Sequence, residues 1–132
     1  MNKSILLSIK PKYVDSIMKG EKRFEFRKSI FRSNNITRVY IYSTTPIKKI
    51  VGYFKLGDII KGDPHEVWER CSLFGGISEK DFFEYYEGKE IAFSLCIDEL
   101  NIFDNAICPY SIFENFIPPQ SFMYFDNMES KI

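Results

Sequence analysis

The chain has 132 residues, enough for one hydrophobic core and too few for two, and its 18 Lys and Arg against 18 Asp and Glu leave a formal net charge of zero. Aromatic residues make up 17% of it, nearly all Phe and Tyr, a bulk that suits a compact mixed domain and argues against disorder. No apolar run approaches the roughly 20 residues of a membrane span, and Ile5-Leu6-Leu7-Ser8-Ile9 is too short for a secretory signal before Lys10-Pro11-Lys12, so no membrane partner is expected and the cytoplasm is the default compartment.

Residues 4–10 are short and apolar and predict a buried first strand. Pro11 suits the first turn of a helix that sets Tyr13, Val14, Ile17 and Met18 on one face and stops at Gly20, where a left-handed residue is wanted. A second strand over 23–28 sends Phe24 and Phe26 to one side and Arg23, Glu25 and Arg27 to the other. After the polar loop Arg32-Ser33-Asn34-Asn35 comes a third strand at 37–43, with Val39 and Ile41 facing one way and Tyr40 and Tyr42 the other. Thr44-Thr45-Pro46 ends it. Residues 50–60 read as a long strand with bends or bulges at Gly52 and Gly57.

Asp63 then caps a short helix with Pro64 at its first position and Val67, Trp68 and Cys71 on its apolar side. Gly75-Gly76 breaks it. Ser78 caps a further helix whose Phe82, Phe83, Tyr85 and Tyr86 face the core until Gly88. Ile91, Phe93, Leu95 and Ile97 alternate with Ala92, Ser94, Cys96 and Asp98, the clearest strand in the chain, and the pattern weakens after Asn101. One helical turn at 109–113 and a last strand at 121–124, behind Pro118-Pro119, complete the reading. The helices are too short and too few for a doubly wound sheet. The expected architecture is α+β, a small barrel of about five to six mixed strands with two to three short helices. It forms a single domain over 1–132, with its core at 4–125 and a short tail at 126–132.

The charge balance is uneven along the chain. Residues 1–62 hold 14 Lys and Arg against 4 Asp and Glu, and residues 63–132 hold the reverse. Either the fold gathers the basic half into a surface that attracts phosphates in a salt-dependent way, or the two halves neutralise one another across it.

On the second strand, Glu25 lies between Arg23 and Arg27 with Lys22 at the strand's mouth, all backed by two phenylalanines. Such a line of charges is either a recognition site or a structural ladder of ion pairs. As a site, Glu25 accepts from a base amino group while Lys22 and Arg27 hold phosphate or carbonyl oxygens.

The spacing Gly20, Lys22, Glu25, Arg27 resembles the Gly-x-Lys-x-x-Glu-x-Arg pattern of the ASCH family, a branch of the PUA-like barrels. Lys10-Pro11, the helix before Gly20, Tyr42-Ser43-Thr44-Thr45-Pro46, Gly75-Gly76-Ile77-Ser78 and Pro118-Pro119-Gln120-Ser121-Phe122 are similar to its single-domain bacterial members. The resemblance covers roughly residues 4–125. It implies a barrel whose cleft binds RNA or a nucleotide base without catalysis, lined by Lys10, Lys22, Glu25, Arg27, Tyr42, Ser43, Thr44, Gln120 and Ser121. No cofactor and no metal are implied.

Some relatives are small amidohydrolases of acylated cytidine with a Lys, a Thr nucleophile and a distant Glu. Here the position matching that Thr holds Glu25, which removes the hydroxyl. Others have been described as ribonucleases. An enzymatic reading, a hydrolase of a modified nucleoside or of RNA, would make Lys22 the general base assisted by Glu25, provided burial takes the lysine well below roughly 10.4. A third reading is a protein-interaction module using the acidic second half.

Other residues carry weaker signals. Tyr40 and Tyr42 can stack on a base or pack against a helix. Ser43, Thr44 and Thr45 can offer hydroxyls to a phosphate or form a plain turn, and Gln120 and Ser121 can line the cleft or face water. His65, the only histidine, is expected exposed at a helix start with no nucleophile beside it. Trp68 is expected in the core. Glu66 and Glu69, three apart on a helix, read as a charged face rather than an acid–base couple. Cys71, Cys96 and Cys108 form no Cys-x-x-Cys pair and are expected as reduced thiols.

Overall fold

The computed structural model describes residues 3–126 and 128–132. In chain order the elements are β1 (Lys3–Ile9), α1 (Pro11–Met18), β2 (Phe24–Arg27), β3 (Ile36–Ser43), β4 (Lys49–Gly62), α2 (Pro64–Cys71), α3 (Glu79–Tyr85), β5 (Ala92–Ile107), α4 (Pro109–Ile112) and β6 (Phe122–Tyr124). The strands make one six-stranded sheet in the order β2-β5-β4-β3-β1-β6, curled into a half-barrel. β1 runs parallel to β3 and the remaining pairs are antiparallel.

The predicted punctuation is present. Gly20 takes φ +78° after α1, Asp63 accepts the Glu66 amide at the start of α2, and Ser78 accepts the Asp81 amide at the start of α3. Capping groups of this kind satisfy amides that have no partner inside the helix. The β4 register shifts around Gly52 and between Leu56 and Ile59, next to the two expected bends. Gly52 is required there, because a Cβ would stand 2.3 Å from the Asn101 carbonyl oxygen.

Three apolar clusters occupy the sheet's faces. Val39 and Ile41 join Ile5, Leu7, Ile9 and Phe54 in one, closed by Val14 and Ile17 of α1. Tyr40 and Tyr42 point the other way, into a cluster with Leu6, Phe113, Phe116 and Phe125. The third lies where α2 and α3 cover β2 and β5, and gathers Phe26, Val67, Cys71, Phe82, Tyr86 and Ala92. Strands β1 and β3 are buried on both faces, which accounts for β1's nearly unbroken apolar run.

Several expectations need correction. Four α-helices flank the sheet among the described residues, the fourth being the single turn expected at 109–113. Met18 is 47% exposed, because α1 turns only Val14 and Ile17 fully inward. Ile91 precedes β5 and is 44% exposed. β5 does not fade at Asn101 but runs to Ile107, with a positive φ at Glu99 and shifts in its pairing with β4 that scramble the two-residue period. The core also reaches past residue 125: Met128 and Ile132 pack against the second cluster, and Tyr40 donates to the Glu129 carboxylate at 2.7 Å.

Candidate functional site

Among the described residues β2 is an edge strand paired with β5, yet Lys22 and Glu25 on its charged side are almost closed to water. Lys22 is 3% and Glu25 5% exposed. A bridge between Lys22 and Gly75 lays the lysine under the turn before α3, and its ammonium donates to the Gly75 carbonyl at 2.7 Å. The same ammonium stands 3.7 Å from Glu25 Oε1, 4.6 Å from the Phe26 ring centre and 5.3 Å from that of Tyr13. Burial is the largest influence on Lys22 and pulls its pKa below the ordinary lysine value; the Glu25 charge and hydrogen bond oppose this without reversing it.

Arg27 completes the network. Its Nη1 lies 3.1 Å from Glu25 Oε2 and donates to the Ser8 carbonyl at 3.3 Å, while its Nη2 donates to the Ser121 hydroxyl at 2.6 Å. Ser8 belongs to β1 and Ser121 immediately precedes β6, at the far end of the sheet order. The guanidinium therefore ties the two ends of the half-barrel across its open side. A planar fork of donors spans such a seam, which a lysine's single ammonium does not.

These side chains meet in a cleft of about 540 Å³ lined by Ser8, Ile9, Lys10, Lys12, Tyr13, Lys22, Glu25, Phe26, Arg27, Thr44, Ile77, Asp81, Tyr85 and Gln120. Of the residues singled out in the sequence, Lys10, Lys22, Glu25, Arg27, Thr44 and Gln120 are in this lining. Three are not. Tyr42 is 1% exposed and turned into the second cluster, its hydroxyl 3.1 Å from that of Tyr110, and Ser43 is buried beneath the strand end. Ser121 stands behind the cleft as the acceptor for Arg27.

The lining residues that sequence reasoning passed over are Ser8, Ile9, Lys12, Tyr13, Phe26, Ile77, Asp81 and Tyr85 as cleft residues. The spacing of Asp81 and Tyr85, four apart on one helix face, was the available signal. Burial, ahead of neighbouring charges, raises the Tyr85 pKa.

The remaining candidates lie elsewhere. His65 is exposed with its ring 4.7 Å from Phe83, and Trp68 packs against the third cluster. Glu66 and Glu69 are exposed on α2, and Cys71, Cys96 and Cys108 are free thiols. A second groove of about 520 Å³, lined by Thr37, Arg38, Tyr53, Lys55, Glu99, Leu100 and Asn101, has its cations paired as Arg38–Glu129 and Lys55–Glu99.

Residues 7–101 match the ASCH domain family. The chain is 29% identical over 135 residues to a protein of Zymomonas mobilis subsp. mobilis named ASCH domain-containing ribonuclease, covering 98% of this chain and 88% of that one. It is 36% identical over 93 residues to the large ribosomal subunit protein uL22 of Ureaplasma parvum serovar 3, a match to 70% of this chain and 30% of that protein. The crystal structure of ASCH from Zymomonas mobilis superposes with a TM-score of 0.87 at 29% identity, over 98% of this chain and 92% of that one. The chain belongs to the ASCH domain family.

Proposed function

We propose that this ASCH domain binds RNA and takes one unpaired nucleotide into the cleft above Lys22, Glu25 and Arg27. The observation that carries this reading is the Lys22–Glu25–Arg27 network, two of its members buried and Arg27 half-buried, lining one cleft together with the exposed Lys10 and Lys12. The cleft's volume is in the range of sites that enclose one small ligand. Of the lysine's three donors, one is spent on Gly75 and one faces Glu25, while the ammonium also lies against the Phe26 and Tyr13 rings, so Lys22 chiefly holds Glu25 and the turn in place beneath the cleft. Lys10 and Lys12 supply mobile charge for the phosphates on either side.

Titration of labelled single-stranded and hairpin RNA at several salt concentrations tests the reading. Salt-sensitive binding that is lost in the Glu25→Ala, Arg27→Ala double variant supports it. Absence of binding at low salt, or binding unchanged in that variant, rejects it.

Cleavage of RNA is the second reading, favoured by the ribonuclease name of the Zymomonas relative and by the lowered pKa of Lys22. Lys22 in its neutral form would take the proton from a 2′-hydroxyl as that oxygen bonds to phosphorus, the P–O5′ bond would break with the leaving 5′-oxygen taking a proton from water, and Arg27 would hold a phosphoryl oxygen. Incubation of labelled RNA with wild type and Lys22→Ala separates cleavage from binding, and equal turnover in both rejects it. Hydrolysis of an acylated cytidine has less support. Position 25 offers a carboxylate held by Lys22 and Arg27 where that chemistry uses a hydroxyl.

A further inference from the structure

The cleft's charges do not all serve a phosphate. Glu25 is answered on both oxygens, by Lys22 and Arg27. Asp81, the other carboxylate in the lining, is exposed; its amide donates to the Ser78 hydroxyl, and its carboxylate has no ion pair and no hydrogen bond among the described residues. A free carboxylate repels phosphate, so its place in this lining fits a ligand part that presents hydrogen-bond donors. One helical turn further, Tyr85 lines the same cleft with a half-buried ring that has the Lys28 ammonium over it at 4.5 Å from the centre and the Tyr86 ring packed edge-on at 4.8 Å. Residues four apart on a helix have Cβ atoms about 5–6 Å apart on one face. A base entering the cleft beside Tyr85, with the Lys28 side chain displaced from the ring, would have an edge near Asp81.

We propose that Asp81 and Tyr85 form a base-reading pair that selects a nucleobase carrying an exocyclic amine. This rests on the RNA-binding reading above. An ionised carboxylate only accepts hydrogen bonds. Cytosine, adenine and guanine each offer it an amino group, whereas the pairing edge of uracil offers one N–H between two carbonyl oxygens that a carboxylate repels. Tyr85 supplies the flat surface, which is indifferent to base identity. Affinity and choice are thereby divided between two side chains. A purely structural Asp81, acting in the first turn of α3 as a favourable negative charge, would leave base choice untouched.

The test is binding of a 2′-fluoro heptauridine, which resists cleavage, and of the same oligomer with one A, C or G at its centre. The wild type should bind the amine-bearing oligomers at least about fivefold more tightly than heptauridine, the lower end of one base contact. Asp81→Asn should bring that ratio to near one, Asp81→Glu should retain its direction, and Tyr85→Ala should weaken all four oligomers alike. Equal binding of heptauridine by the wild type, or an unchanged ratio in Asp81→Asn, overturns the base-reading pair and leaves the RNA-binding reading standing. Failure of every oligomer to bind overturns both.

Discussion

The Lys22 ammonium donates to the Gly75 carbonyl at 2.7 Å, and the next residue, Gly76, adopts φ +64° directly over the lysine's stem. A Cβ on Gly76 would lie 2.5 Å from Lys22 Cβ. The turn before α3 is therefore shaped around the lysine. Gly76→Ala should destabilise the protein more than Gly88→Ala, which has a similar φ of +79° but meets nothing within 4 Å. The second variant carries only the left-handed backbone penalty, about 1–2 kcal/mol; the first adds displacement of Lys22. Urea unfolding of both variants checks this, and equal losses would contradict it.

Glu25 is the shared counter-charge of the buried Lys22 and the half-buried Arg27. Glu25→Ala should cost about 3–5 kcal/mol, the usual result of stranding a buried charge. Adding Lys22→Met should recover part of the loss, because the stranded ammonium is then gone. A double variant less stable than Glu25→Ala in urea unfolding would show that Lys22 is not uncompensated there.

Much of this arrangement was legible in the sequence, for identifiable reasons. Phe24 and Phe26 alternate with Glu25 and Arg27, so the strand and its charged side follow from a two-residue period, and Gly20 marks the helix end before it. For Tyr42, which can stack on a base or pack against a helix, alternation says which side chains share its face but not what covers that face. Here Phe113 and Phe116 arrive from seventy residues away. Lys12, Asp81 and Tyr85 enter the cleft from helices whose position over the sheet is set by long-range packing. The second half of β5 was lost because irregular pairing with β4 destroys the periodicity that would have revealed it.

Alkaline pH should unfold the protein through its buried phenols. Burial, ahead of the Glu129 interaction, raises the Tyr40 pKa from 10.0 to about 12, and burial likewise raises Tyr42 and Tyr86. A folded-state pKa above the unfolded one gives stability that is complete below pH 10 and is lost as pH rises towards the folded value. The urea midpoint should therefore fall between pH 10 and about 12. Tyr40→Phe should make that fall shallower without abolishing it, since Tyr42 and Tyr86 remain. An identical slope in the variant would contradict the role given to Tyr40.

Lys10 and Lys12 should set much of the salt dependence of RNA binding. Each phosphate neutralised on a single strand contributes about 0.7 to the slope of log affinity against log salt. The Lys10→Ala, Lys12→Ala variant should thus lose about 1.4 from that slope while keeping whatever base preference the wild type has. An unchanged slope would remove both lysines from the phosphate path.

Two grooves of similar volume, about 540 and about 520 Å³, compete for the ligand, and amide chemical-shift mapping with a short single-stranded RNA decides between them most directly. Binding at the proposed site moves the amides of Lys22, Glu25, Arg27, Thr44 and Gln120 in a saturable way and leaves Arg38, Tyr53, Lys55 and Asn101 still. Shifts confined to that second group, with the β2 amides unmoved, would contradict it.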